Sequence, residues 1–161
     1  MKTLVLLLPA VLLGGCATTA IKSGDGALAT NAPLHVFEAG KAPTQTIILS
    51  PGCAGATSVA IDKARELRSW GYNVVLVDSH TGRGHGSVCH KTSLIFDVER
   101  ASDVVAAAEW AITQPWHRGR VGMFGYSAGG SAGNHLSERN PGPIAAVVSY
   151  YPTCEHHGFD P

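Results

Sequence analysis

The chain has 161 residues, 45% of them hydrophobic, with twelve acidic and twelve basic side chains and a formal net charge of zero. One domain with a packed core is the default at this length, and the charge balance excludes an electrostatic case for nucleic acid or an anionic membrane surface as partner. The 19 glycines gather near apolar runs, as turns between strands and helices require, and no internal repeat or low-complexity tract is visible.

Residues 1–15 read as a signal peptide. Lys2 precedes an apolar run from Leu4 to Leu13, too short to span a bilayer as a helix and followed by small residues. The ending Leu13-Gly14-Gly15-Cys16 resembles the lipobox of bacterial lipoproteins. That resemblance implies lipidation of Cys16, and Ala17 behind it implies sorting to the outer membrane. A buried N-terminal strand, or an ordinary signal peptide cut after Ala20, is the alternative. Residues 16–33 are small and aperiodic and are expected to form a lipidated tether; residues 34–161 are expected to form the folded domain. Export would place the chain where disulfides form. Cys53, Cys89 and Cys154 then allow one bridge and one free thiol, with the pairing open.

In the folded part, Leu34 to Gly40 alternates as an edge strand does. "TIILS", Thr46 to Ser50, is a short β-branched run closed by Pro51-Gly52, hence a buried strand. From Thr57 to Trp70, Ala60, Ile61, Ala64 and Leu67 make one face of a helix that Gly71 stops. "NVVLVDS" is a continuous run typical of a strand covered on both faces. A glycine-rich loop spans Thr81 to Ser87. A second helix is predicted over Asp97 to Thr113, with Ala101, Val104, Val105, Ala108, Ala111 and Ile112 inward and Pro115 beyond it. Strand "RVGMFG", a helix from Ser127 to about Arg139, the breaker Asn140-Pro141-Gly142-Pro143 and strand "IAAVVSYY" complete the series. Strands alternating with helices favour an α/β fold, a doubly wound, mostly parallel sheet whose sites lie at the carboxyl ends of its strands.

One such end carries Gly125-Tyr126-Ser127-Ala128-Gly129, a G-x-S-x-G frame. A strand entering a helix through this frame makes a tight, strained turn that lifts the serine above the sheet. Gly125 and Gly129 leave room where a side chain would collide with the neighbouring elements. The helix N-terminus behind Ser127 places N–H groups and partial positive charge near a developing oxyanion. Ser127 is therefore the expected nucleophile, rather than a mere N-cap. The N–H of Ala128 is one expected oxyanion donor, and that of Cys53, in the loop "LSPGCAG", the other.

With "ILSPGCAGA", "LRSWGYNVVLVDSHTGRGHGSVC", "AEWAITQPWHRGRVGMFGYSAGGS" and "AAVVSYYPTC" in this order, the chain resembles the dienelactone hydrolase-like α/β-hydrolases over roughly residues 44–152. The resemblance implies hydrolysis of a carboxylic ester or lactone without a cofactor. It departs from dienelactone hydrolases proper in carrying a serine in place of their cysteine nucleophile, and from related members in having Pro51-Gly52 where His-Gly is common.

In this fold the triad runs serine, acid, histidine along the chain. After Ser127 the candidates are Glu138, Glu155, Asp160, His135, His156 and His157. His135 lies eight residues along the helix, about 12 Å at 1.5 Å per residue, too far for a hydrogen bond, and is expected at the surface. His156 and His157 follow the next strand on the correct side, whereas the family places its histidine after the last strand, and Asp160 lies where a few lipases carry their acid. The acid and base are therefore expected outside this sequence, with the family's C-terminal strands missing and a sheet edge left open.

Other constellations carry weaker chemistry. His80, His85 and His90, with Asp78 and Cys89 near, lack the fixed spacing of a metal site, and no metal is expected. "TGRGHGS" lacks the features of a phosphate loop. Arg83 is expected to tie loops together or to meet a substrate carboxylate, and Trp70, Trp110 and Trp116 to serve packing. The function expected is that of an exported, lipid-anchored serine hydrolase acting on a small ester or lactone. The alternatives are a non-catalytic lipoprotein of the same fold and an acyltransferase using the same nucleophile.

Overall fold

The computed structural model describes residues 18–20 (as backbone), 32–139 and 142–153. The signal-peptide and lipidation readings, and the candidates Cys154, Glu155, His156, His157 and Asp160, lie outside the described residues. Six strands form one sheet: β1 (Thr18–Ala20), β2 (Pro33–Phe37), β3 (Thr44–Ser50), β4 (Asn73–Val77), β5 (His117–Tyr126) and β6 (Ile144–Tyr150), in the spatial order β1-β2-β4-β3-β5-β6. β3 runs parallel to β4 and β5, and β5 to β6, whereas β2 is antiparallel to both β1 and β4. Three helices connect the parallel strands: α1 (Ser58–Ser69), α2 (Asp97–Ala111) and α3 (Ala128–Ser137).

The period of two along each strand sorts the core into two layers. Val74, Leu76 and Leu49 pack with Ala60, Ala64 and Leu67 of α1 on one face. Val75, Val77, Ile48 and Met123 pack on the other face with Ala101, Val104, Ala108 and Ala111 of α2 and with Ala132 and Leu136 of α3. All five residues of β4 are buried, as the continuous run "NVVLV" predicts for a strand covered on both sides. α1 ends where Gly71, at φ 92°, takes the left-handed conformation and its N–H bonds the carbonyl of Arg68 at 2.9 Å. α2 begins with Asp97 and Glu99 in its first turn, complementing the helix dipole, and the Glu99 carboxylate accepts the Phe96 N–H at 2.8 Å.

Three local expectations are corrected. β2 is not an edge strand, because the ladder with Thr18–Ala20 covers it; that short strand falls within the segment expected to be a tether. Ile112 is 47% exposed: α2 ends at Ala111 and Ile112 is its C-cap, so the apolar period carries past the end of the helix that buries it. Arg100 and Asp103 of α2 are instead inward, each 1% exposed. Trp110 and Trp116 do pack, edge to face at 5.8 Å, whereas Trp70 at the end of α1 is 63% exposed. No helix among the described residues is long and apolar enough to cross a membrane.

Candidate active site

The carboxyl ends of β3, β5 and β6 finish level, with Ser50 opposite Gly125 and Gly125 opposite Ser149. Ser127 stands just beyond, between β5 and α3, at φ 52° and ψ −123°. It is one of two non-glycine described residues with positive φ. Its N–H donates to the carbonyl of Tyr150 at 3.0 Å, and its carbonyl accepts the N–H of Ser131 at 3.0 Å. Strand β6 and the first turn of α3 thus hold the bend from both sides.

The flanking glycines are required by contact. A Cβ on Gly125 would stand 2.2 Å from the carbonyl oxygen of Gly129, and one on Gly129 would stand 2.1 Å from that of Ser50. Both obstacles are backbone, which cannot swing aside. Gly52 lies over Ser127: a Cβ there would stand 3.2 Å from Ser127 Cβ and 3.6 Å from Oγ. The sequence marked Gly52 only as part of the Pro51-Gly52 pair before Cys53, with no contact to Ser127. Beside it, burial raises the pKa of the Tyr126 phenol, offset in part by the backbone of Gly52.

Ser127, Ala128 and Cys53 line one cavity of about 350 Å³, with Ile95, Phe96, Thr153 and His135 among its other walls. The N–H groups of the first helical turn have no intrahelical acceptor, so the start of α3 offers donors at the serine. Ser131 Oγ meets Thr153 Oγ1 at 2.5 Å and accepts the Thr153 N–H at 3.1 Å, tying the chain after β6 to α3. His135 is half-buried on the cavity wall; the surface position expected for it is corrected, because the cavity extends along α3 beyond its first turns. No histidine among the described residues hydrogen-bonds Ser127 Oγ.

Loop 78–96, after β4, forms the far wall. The Asp78 carboxylate accepts from the N–H groups of His80 and Thr81 and from the Thr81 hydroxyl, at 3.1, 3.1 and 2.6 Å. His80 is 1% exposed. Its Nδ1 faces the Gly86 carbonyl at 2.8 Å and its Nε2 faces Arg100 Nη1 at 2.8 Å. A carbonyl only accepts and a guanidinium only donates, so Nδ1 carries the proton and Nε2 is the acceptor. The imidazole is neutral, and burial, with Arg100 beside it, lowers its pKa against the raising effect of the Gly86 carbonyl. Among the described residues Arg100 Nε and Nη2 have no hydrogen-bond partner, and burial lowers the Arg100 pKa.

Arg83 grips buried Asp103 through two hydrogen bonds, 2.6 and 3.1 Å, bonds the Ser79 carbonyl at 2.8 Å and meets Glu99 at 3.5 Å. Of its two expected roles it fills that of loop tie, and the Asp103 bond raises its pKa. Arg100 and Asp103 were missed in the sequence. Their only signal is a polar pair interrupting the apolar stripe of α2. Cys53 and Cys89 form the disulfide that the sequence allowed without assigning partners. Among the described residues no group of three or more His, Cys, Asp or Glu could hold a metal ion.

A doubly wound sheet with a strained serine at the β5–α3 turn defines the chain as an α/β-hydrolase fold. Within that class, the chain belongs to the X-Pro dipeptidyl-peptidase (S15) family, whose model matches residues 24–157. Three solved structures illustrate the likeness. One is a protein assigned as a dienelactone hydrolase from Klebsiella pneumoniae, 17% identical, with TM-score 0.67 over 86% of this chain and 60% of that one. Another is a promiscuous dienelactone hydrolase-like phosphotriesterase from metagenomic libraries, 20% identical, with TM-score 0.61 and coverage of 86% and 60%. The third is an esterase of Pyrococcus furiosus, 21% identical, with TM-score 0.61 and coverage of 94% and 57%. The chain therefore spans about three-fifths of the length of these proteins. No curated protein matches it.

Proposed function

We propose that this chain carries the nucleophile and oxyanion site of an exported serine hydrolase that cleaves a carboxylic ester or lactone. One observation carries the reading: Ser127 is held at φ 52° between strand and helix, on the wall of a cavity it shares with Cys53 and Ala128. In the proposed reaction Ser127 Oγ attacks the carbonyl carbon while its proton passes to a base. The carbonyl oxygen becomes an oxyanion held by the N–H groups of Ala128 and Cys53. The bond to the leaving alcohol breaks, the alcohol takes up the proton, and water hydrolyses the acyl-enzyme to free acid and serine. The base and its acidic partner come from outside the described residues. An acyltransferase would differ only in the last step, with an alcohol in place of water.

The Cys53–Cys89 disulfide supports export, since such bonds persist in oxidising compartments. Lipidation at Cys16 would then anchor the domain to the membrane. The family match favours a second reading, in which the same serine cleaves a peptide bond after proline.

A fluorophosphonate probe tests the nucleophile. The full-length product, with the base and acid included, is expected to label, and Ser127→Ala to show no label. An unlabelled wild-type chain would instead favour a non-catalytic lipoprotein. Turnover of an aryl ester but not of an X-Pro anilide separates the first reading from the second.

A further inference from the structure

The loop that carries Gly52 and Cys53 leaves β3 over the nucleophile, and loops are the mobile parts of a fold. An oxyanion donor is effective only when it is held in place before the reaction. Three contacts fasten this loop to the one after β4. Cys53 is bonded to Cys89. The Cys53 carbonyl accepts the N–H of fully buried Val88 at 2.8 Å. Gly55, at φ 79°, lies so close to His80 that a Cβ there would stand 2.9 Å from the ring Nδ1. His80 is in turn fixed by the Gly86 carbonyl and Arg100. One end of the bridge, Cys53, is half-buried on the cavity wall; the other, Cys89, is exposed.

We propose that the Cys53–Cys89 disulfide holds the Cys53 N–H in its oxyanion position, making Cys89 a positioning residue for catalysis by Ser127. The inference rests on the hydrolase reading above. Cys89 is exposed, and that side of the tether is open to thiol exchange. A small dithiol attacks it, delivers two electrons and two protons, and becomes a cyclic disulfide as the protein bond opens to two thiols. A bridge that only staples the fold would act differently. Its separation of 36 residues restricts the unfolded chain, which changes how much protein is folded and not how fast the folded fraction reacts.

The experiment compares the oxidised full-length product, base and acid included, the same protein reduced by dithiothreitol and then reoxidised, Cys89→Ser, and Cys53→Ser/Cys89→Ser. Ester hydrolysis and the rate of fluorophosphonate labelling are measured at a temperature where near-UV circular dichroism reports a folded chain. Opening the tether is expected to lower kcat by about 10-fold or more with KM within about twofold. The double variant should match the single one, and reoxidation should restore the rate. Where Cys89→Ser does not fold, the reduced wild-type chain carries the test. An unchanged kcat, or a loss that follows the near-UV signal, overturns the proposal while leaving the hydrolase reading intact. An oxidised wild-type chain that neither labels nor turns over overturns both.

Discussion

Ser127 is held by its neighbours in a conformation that its own backbone disfavours. A non-glycine residue in a sparsely populated region costs about 1–3 kcal/mol, and here the bond to Tyr150 and the first turn of α3 impose it. Replacing the hydroxyl therefore separates chemistry from strain. Ser127→Ala keeps the Cβ and the strain, whereas Ser127→Gly removes both. Ser127→Gly is expected to be more stable than Ser127→Ala by about 1 kcal/mol after the extra freedom of the unfolded glycine is counted, as measured by denaturant unfolding. Equal stability would mean that the bend is unstrained. Gly125 and Gly129 were legible at this scale, because their spacing around a serine reports a contact within one turn of chain. Gly52 was not. Its need for an absent side chain arises from Ser127, 75 positions away in sequence.

At the scale of elements, α2 and the loop after β4 form one unit, bound through Arg83–Asp103 and His80–Arg100. The His80 imidazole is buried neutral, with its pKa below the ordinary 6.5. Below that pH the unfolded chain takes up a proton that the folded chain resists. The stability from this group is thus fully present above about pH 6.5 and is lost as pH falls through that value, by up to about 1.4 kcal/mol per pH unit. Unfolding free energies between pH 8 and pH 5 should show this slope in the wild-type chain and a shallower one in His80→Gln; parallel slopes would rule the group out. The apolar stripe of α2 was readable from its period. The inward turn of Arg100 and Asp103 was not, since a polar residue beside such a stripe reads as surface until its buried partners are known.

For the whole molecule the imbalance lies at β6. Val147 packs toward α3, but Val148 is 51% and Tyr150 59% exposed on the opposite face, with Tyr151 beyond them at 58%. A groove of about 530 Å³ runs there between Trp70 and Leu67 of the α1 region and Phe124, Ala146 and Val148 of the sheet. An apolar hollow of that size takes up hydrophobic dyes. The folded chain is expected to enhance anilinonaphthalene sulfonate fluorescence, and Val148→Lys to reduce the enhancement at least about twofold without lowering stability by more than about 0.5 kcal/mol. An unaltered signal in that variant would place the dye elsewhere.

By itself the sequence determined the alternation of strands and helices, the two-sided burial of β4 and the turn that carries Ser127. Each of these follows from periods of 2 and 3.6 and from glycines at short separation, which are local properties of the chain. Tertiary structure alone decided that β2 runs antiparallel between β1 and β4, that Cys53 pairs with Cys89 and not another cysteine, that Gly52 covers the serine, and that His135 lines the cavity. These depend on which distant segments lie side by side, and hydrophobic pattern says that a segment is buried without saying against what.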